Sequence, residues 1–282
     1  MKFVHTFWSK PLLQNKFDDK KDSVRYTLMN YACSAAYIHH QGYHIVLFTD
    51  EIGKNLLSSI PYDDIIVIDN NIYSHHFAAR MKFDALEKME VGDVLIDGDL
   101  FIRDKKTCQM IESYKEDVIY SFDEPHSFTS QGQEKIPYYQ SLIDSLSTID
   151  IRYPYHLPPI NDLSWPNTSL LKINDEKVKE EYVKQYHYHA QQLRGIEFRE
   201  LWPDIFIEQY FLGCLIDNWN CTSRPVIPDF PKESANDYAL SIKFTHLGSS
   251  KKLYISLVEE WLESIDKELY HKTKGRLKEI LQ

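Results

Sequence analysis

The chain has 282 residues, with 32 Lys and Arg against 42 Asp and Glu, a formal net charge of −10. That balance excludes a general nucleic-acid binder, which needs a basic footprint. A hydrophobic content of 43%, with 19 Tyr, 14 Phe and 5 Trp, excludes a disordered chain and is enough to fill one large core.

No run approaches the roughly 18 apolar residues of a membrane span, and the N-terminus lacks the apolar stretch of a secretory signal. Cys33, Cys108, Cys214 and Cys221 show no CxxC spacing and read as reduced thiols of a cytoplasmic protein.

In chain order, the first expected strand is Lys2–Phe7, followed by a loop over Trp8–Pro11. A helix is expected from Ser23 to His40, because Val24, Leu28, Tyr31, Ala32 and Ala35 share one face and Gly42 ends it. A second strand, Tyr43–Phe48, ends at Thr49 and Asp50. A short helix through Leu56 and Leu57 leads past Pro61 to a third strand, Asp64–Asp69. Phe77 to Met89 reads as helix, with Phe77, Met81, Ala85 and Met89 spaced by four.

The fourth strand lies in GDVLIDGDLFI, Gly92–Ile102, where Val94, Leu95 and Ile96 form a short buried run ending in Asp97, Gly98 and Asp99. This alternation of strands and helices predicts an α/β fold. Its N-terminal half would be a doubly wound, mostly parallel, Rossmann-like sheet. Ligands of such sheets bind at the carboxyl ends of the strands, which places His5–Ser9, Asp50 and the Asp97/Asp99 pair on one edge.

The second half is less regular, and a mixed sheet is expected there. A fifth strand, Asp117–Phe122, runs into Asp123, Glu124, Pro125 and His126. Residues 149–168 are rich in Pro, Tyr and Trp and read as extended. Asn167–Asn174 reads as a buried strand, and Asp175 and Glu176 open a helix to Leu193. Pro203 opens a further helix through Trp219. KFTHLGSSKK then leads to one long amphipathic helix with Leu253, Leu257, Trp261, Ile265 and Leu269 as its apolar face. The expected organisation is a single domain over 1–282. It comprises a nucleotide-binding half (1–125), an acceptor and metal-completing half (126–252) and the C-terminal helix (253–282).

Two ionised carboxylates at the end of a buried strand are costly unless a cation meets them. Mg²⁺ and Mn²⁺ take such hard oxygen ligands, usually together with phosphate oxygens, and Gly98 would let a ligand approach the backbone. The plainer alternative is a polar Asp-Gly turn between two strands. The pairs His75/His76 and His187/His189 also suggest metal. Helical residues two apart do not share a face, however, so the latter pair is assigned to the surface. Lys251 and Lys252 alternatively read as a solvated pair. The basic tail Lys267, Lys272, Lys274, Arg276 and Lys278 reads as a solvated helix face, with contact to an anionic membrane as the less favoured reading.

The order of these features resembles a glycosyltransferase of the GT-A fold, over about residues 2–252. Within that group it is most similar to the glycogenin-like and lipopolysaccharide-galactosyltransferase-like enzymes. Asp97-Gly98-Asp99 resembles the DxD motif. Asn167-Thr168-Ser169-Leu170-Leu171 resembles the family's Asn-Ser-Gly-hydrophobic strand, with Ser169 in place of glycine. Pro203-Asp204 with Glu208-Gln209 resembles the acidic-glutamine segment of a later helix. Thr245-His246-Leu247-Gly248 with Lys251 and Lys252 resembles the closing His…Gly…Lys motif, one residue tighter than usual and without the following Pro-Trp.

The resemblance implies a metal-dependent glycosyltransferase of hexosyltransferase type, moving sugar from a nucleotide-diphosphate donor, UDP-linked by preference, to a sugar or glycan acceptor. It implies Mn²⁺ or Mg²⁺ on Asp97, Asp99 and His246, with Gly98 against the donor and Gly248 with Lys251 or Lys252 on its diphosphate. Lys82, close to Arg80, would stand near the sugar and phosphates. His5, Thr6, Phe7 and Trp8 would line the uracil and ribose pocket, with Phe7 or Trp8 stacking on the base. A retaining reaction points to Gln209 beside the anomeric carbon. An inverting one needs a carboxylate base, for which Asp204, Glu208, Asp123 and Glu124 are candidates. Two alternatives stand beside this reading. One is a sugar-phosphate nucleotidyltransferase, against which the glycine-free HTFWSKPL segment (His5–Leu12) weighs. The other is a non-catalytic nucleotide- or sugar-binding protein on the same fold.

Overall fold

The computed structural model of the chain describes residues 1–14, 20–69, 77–123, 165–192, 206–228 and 241–282. The first strand, β1 (Phe3–Phe7), is buried at every position, as suits its β-branched and aromatic content. The expected loop after it is instead the start of a helix, α1 (Ser9–Gln14), which tolerates Pro11 in its first turn. Helix α2 (Lys20–His40) ends where Gly42 takes a positive φ of 85° and its N–H reaches His39 O at 2.9 Å, a glycine stop.

Strand β2 (Ile45–Thr49) and helix α3 (Glu51–Leu56) are joined by Asp50, whose side chain caps α3 by accepting the Gly53 N–H. Strand β3 (Asp64–Val67), helix α4 (Arg80–Lys88) and strands β4 (Val94–Ile96) and β5 (Leu100–Ile102) follow. Helix α5 (Lys105–Ser113) was not anticipated, although Asp104 caps it through the Thr107 N–H at 2.8 Å. Strands β6 (Val118–Tyr120) and β7 (Leu170–Ile173) and helix α6 (Glu176–Gln192) come next. A π-helical turn over Phe206–Tyr210 runs into α7 (Phe211–Asn218). The chain then forms β8 (Ser223–Pro225), β9 (Phe244–His246), α8 (Lys251–Ile265) and α9 (Lys267–Leu281).

These elements divide into two compact units that interleave along the chain, where contiguous halves were expected. The first comprises Met1–Asn71, Asp93–Ser113 and Glu233–Gln282, the second Ile72–Gly92 and Tyr114–Lys232.

In the first unit the strand order is β3-β2-β1-β4, and every pairing is parallel. This is the expected doubly wound arrangement. Phe3, Ile45, Leu47 and Val94 are wholly buried in it, as are Leu28 and Met29 of α2. Strands β5 and β9 form a separate antiparallel pair, with Leu100 opposite His246. Helix α2 packs against both α8 and α9, and its Arg25 donates to Glu259 of α8 at 2.8 Å.

The single long C-terminal helix expected from the sequence is two helices, broken at Asp266 (φ −148°), whose carboxylate caps α9 through the Leu269 N–H at 2.9 Å. Its apolar face also differs. Ile255, Val258 and Leu262 are buried, whereas Leu253 is 79% exposed. A row spaced by four drifts by about 40° per step around a helix of 3.6 residues per turn, so the expected row winds off the buried side.

In the second unit β6 pairs antiparallel with β7 and parallel with β8, the mixed pairing expected of the later chain. Pro225 lies on β8, at the edge where the missing N–H is tolerated. Helix α4 packs on α6, with the Phe83 ring stacked 3.7 Å from Tyr186. Lys179, buried, reaches Met89 O at 2.7 Å. The surface assignment of His187 and His189 is corrected here. His189 is fully buried and stacks on Phe211 at 4.4 Å, while His187 is half-buried. Residues two apart on a helix do point to different faces, but α6 is covered on more than one.

Cys33, Cys108 and Cys214 are free and buried, and Cys221 is free and half-buried. Among the described residues no helix is long and apolar enough to cross a membrane.

Candidate functional site

In the first unit, β4 ends at Ile96, and a tight turn over Asp97, Gly98 and Asp99 leads into β5, closed by the Leu100 N–H on Asp97 O at 3.0 Å. The antiparallel β9 then carries His246 to the position opposite Leu100. The Leu247 N–H donates to Asp99 O at 3.2 Å, fixing that register beyond the last pair. His246 Nε2 consequently lies 3.7 Å from Asp97 Oδ2 and 3.7 Å from Asp99 Oδ1.

Gly248, at φ 52°, opens a short 3₁₀ turn that delivers Lys251 to the first position of α8. Its ammonium stands 3.2 Å from Asp99 Oδ2. Burial pushes the Asp99 carboxyl up, but the charges of Lys251 and His246 outweigh it and hold the group below the usual carboxylate range. Four residues expected to share a site, Asp97, Asp99, His246 and Lys251, are thus in one corner, with Gly98 and Gly248 in the turns that shape it.

Gly98 has a different reason for being glycine than the sequence suggests. A Cβ there would stand 2.2 Å from the Tyr31 ring, so the close approach belongs to an aromatic side chain of the same unit. Tyr31 is fixed by donating its hydroxyl to Thr6 O at 2.6 Å. Burial, then the charges of Asp97 and Asp99, raise its phenol well above the ordinary range.

The expected base pocket at His5–Trp8 is not an open surface, since each of these four residues is less than a tenth exposed. His5 sits in a buried hydrogen-bond chain. Its Nδ1 meets Tyr62 Oη at 2.9 Å, its Nε2 meets Ser34 Oγ at 3.0 Å, and Ser34 donates to Leu100 O at 2.6 Å. With the single Ser34 proton used on Leu100, Nε2 must donate and Nδ1 must accept from Tyr62. Burial lowers the His5 pKa to about 3, so the ring stays neutral. Phe7 meets Tyr31 edge-on at 5.5 Å, and Trp8 is buried beside Lys10. Asp50 accepts from Ser9 N and Oγ as well as Gly53 N, which makes it a structural cap.

In the second unit the π-helical turn carries Glu208 and Gln209. Glu208 Oε1 receives Lys82 Nζ at 2.6 Å and the Thr168 hydroxyl, and Glu208 O accepts from Tyr182 at 2.6 Å. Gln209 is 8% exposed, and its Oε1 has no hydrogen-bond partner among the described residues. Ser169, standing where the resembled family has glycine, is buried and joined to Ser121 Oγ at 2.6 Å. Asp123 accepts from Tyr120 at 2.8 Å. Asp204, Glu124, His75 and His76 lie outside the described residues. Tyr31 and Ser34 are not among the sequence candidates, and Thr168 enters only as part of the Asn167–Leu171 motif. The sequence assigns Tyr31 to the buried face of its helix, and nothing local marks Ser34.

Two groups of described residues have metal-ligating atoms close together: Asp97, Asp99 and His246, and Asp84, Glu87 and His187. In the second group the Arg80 guanidinium already stands on Asp84 at 2.7 Å and on His187, so a cation is in place there. In the first group two carboxylate oxygens and one imidazole nitrogen lie within 4.8 Å of one another, and the His246 distances of 3.7 Å can be spanned by bonds of about 2.0–2.2 Å to one ion. An oxygen-rich set with one imidazole suits Mn²⁺ or Mg²⁺. The residues fit the implied metal.

Among solved structures, the chain is similar to the galactosyltransferase LgtC in complex with donor and acceptor sugar analogs, at 10% identity and a TM-score of 0.36, covering 79% of this chain and 72% of that one. It is also similar to mouse xyloside xylosyltransferase 1 in its apo form, at 9% identity and a TM-score of 0.40, covering 90% and 93%. HddC from Yersinia pseudotuberculosis matches at 20% identity and a TM-score of 0.27, covering 43% of this chain and 57% of that one. No curated protein matches the sequence. The model of a family of unknown function, DUF6734, matches residues 1–280, and the chain belongs to that family.

Proposed function

We propose that this protein is a metal-dependent glycosyltransferase of hexosyltransferase type, which moves a sugar from a nucleotide-diphosphate donor, UDP-linked by preference, to a sugar or glycan acceptor. The observation that carries the reading is the convergence of Asp97, Asp99, His246 and Lys251 at the turn that follows a parallel strand. This is where ligands of doubly wound sheets bind.

In such a reaction a nucleoside diphosphate leaves an anomeric carbon, and negative charge grows on the departing phosphate oxygen. Asp97, Asp99 and His246 would hold Mn²⁺ or Mg²⁺, which would supply Lewis acidity toward that oxygen. Lys251, on a flexible stem whose side chain is 44% exposed, neutralises the diphosphate as a mobile point charge. Gly248 bends the chain so that the first-turn amides of α8 accompany Lys251, a setting that favours phosphate.

Among the candidates in the second unit, Glu208 is poorly suited to act as a base, because an ammonium and a hydroxyl already occupy one of its oxygens. We assign it to the positioning of Lys82. Gln209, buried with an unpartnered carbonyl oxygen among the described residues, is assigned to the sugar, as in a retaining reaction. Asp204 is the carboxylate candidate for an inverting one.

The test is calorimetric titration of UDP and of GDP with and without Mn²⁺, on the wild type and on Asp99→Ala. Micromolar UDP binding that needs both Mn²⁺ and Asp99 supports the reading. Absence of nucleoside-diphosphate binding under every metal condition overturns it.

A further inference from the structure

Asp99 is shared between two partners. Its Oδ1 faces His246 Nε2 and its Oδ2 faces Lys251 Nζ. The carboxylate is nearly inaccessible, at 7% side-chain exposure, whereas the lysine is 44% exposed. The acid is enclosed, and the base reaches it from the more exposed side. An ion placed on Asp97, Asp99 and His246 would share one carboxylate with an ammonium, and like charges that close oppose each other strongly in a partly desolvated corner.

With His246 neutral, as a metal ligand must be, Asp97 and Asp99 bring two negative charges to the corner and Lys251 brings one positive charge. A divalent ion arriving alone would leave it with a net positive charge. A diphosphate brings several negative charges of its own and gives Lys251 a new partner.

We propose that Lys251 is a built-in counter-cation of the acidic pair, which disfavours the metal ion alone and favours it together with the diphosphate. The inference rests on the donor site proposed above and adds a coupling to it. The corner admits metal and nucleotide as a pair, and the lysine passes from Asp99 to the phosphates as they enter. Because such coupling is reciprocal, Mn²⁺ must raise diphosphate affinity by the same factor by which the diphosphate raises Mn²⁺ affinity. Removing the ammonium should shrink both enhancements by the same factor.

The experiment is Mn²⁺ binding to the full chain, followed by loss of the free-ion electron paramagnetic resonance signal, with and without UDP. It uses the wild type, Lys251→Met, Lys251→Gln, Lys251→Arg and Asp99→Asn. The position begins a helix and is partly exposed, so the neutral variants should fold, and circular dichroism confirms each.

The expected result is that Lys251→Met and Lys251→Gln bind Mn²⁺ alone at least tenfold more tightly than the wild type. The enhancement by UDP should shrink by a similar factor, and Lys251→Arg should behave as the wild type. If the neutral variants bind Mn²⁺ no more tightly while Asp99→Asn abolishes binding, the donor site stands and the counter-cation role is overturned. If the wild type and every variant ignore Mn²⁺ with and without UDP, the donor site itself falls and the coupling goes with it.

Discussion

The ring of Tyr31 lies so close over Gly98 that a side-chain carbon at that glycine would come within 2.2 Å of it. The turn holding the acidic pair is therefore shaped from beneath by a helix of its own unit, whatever binds above. Gly98→Ala should force ring or turn to move, at a cost of about 1–3 kcal/mol, and should weaken Mn²⁺-dependent nucleotide binding. Thermal unfolding and calorimetry read the two effects. Adding Tyr31→Leu should recover part of the loss in stability, because it removes the ring that the new methyl meets.

Lys82 and Glu208 form an ion pair with side-chain exposures of 15% and 9%. Removing one partner of a mostly buried pair leaves the other charge uncompensated, and costs about 3–5 kcal/mol in such settings. Lys82→Met should accordingly lower the urea midpoint sharply. Lys82→Met with Glu208→Leu should be more stable than the single variant, which a double-mutant cycle measures. If the double variant regains stability but not activity, the pair has a functional role beyond the fold.

Three histidines set a pH dependence. Burial holds His5 at about 3 and His189 at about 4, and burial with the nearby Arg80 charge holds His187 at about 4, against an ordinary value of 6.5. Below pH 6.5 the unfolded chain binds protons there that the folded chain refuses. Their contribution to stability is therefore complete above about pH 6.5 and is lost as pH falls toward 4, with a slope of up to about 1.4 kcal/mol per pH unit for each ring. Urea unfolding between pH 7 and 4.5 should show this decline. His189→Phe, which keeps the stack on Phe211, should remove about a third of it.

Asp266 separates the last two helices and caps the second. Asp266→Ala should cost about 1 kcal/mol, and Asp266→Asn less, as read by thermal unfolding. Neither should change Mn²⁺ affinity.

The parallel sheet and the acidic pair were legible in the sequence because each rests on a local signal: Val94–Ile96 is a short apolar run and Asp97-Gly98-Asp99 breaks it. His246 and Lys251 join the pair in the sequence reading only through the resemblance to GT-A enzymes. The role of His5 was not legible. A histidine in an apolar strand looks the same whether it faces a ligand or a serine, and only the helix that brings Ser34 over it decides. His189 failed for a related reason. A helix rule states which residues share a face, but the number of faces covered depends on neighbours far along the chain. The break at Asp266 did leave a trace, an aspartate three residues before Leu269, but it was hidden within a charged run that continues the helical pattern on both sides.

The interleaving of the two units has a consequence for biosynthesis. The acidic turn belongs to a unit whose remaining parts, β9 and the last two helices, are made about 150 residues later. At ribosomal speeds of about 5–20 residues per second, Asp97 and Asp99 wait on the order of 10 to 30 s for His246 and Lys251 to emerge. Until then β5 has no β9 beside it, and the two carboxylates have neither their imidazole nor their ammonium. The corner is thus completed only near the end of translation, and a nascent chain arrested before residue 244 should contain the Asp97-Gly98-Asp99 turn without the means to close it.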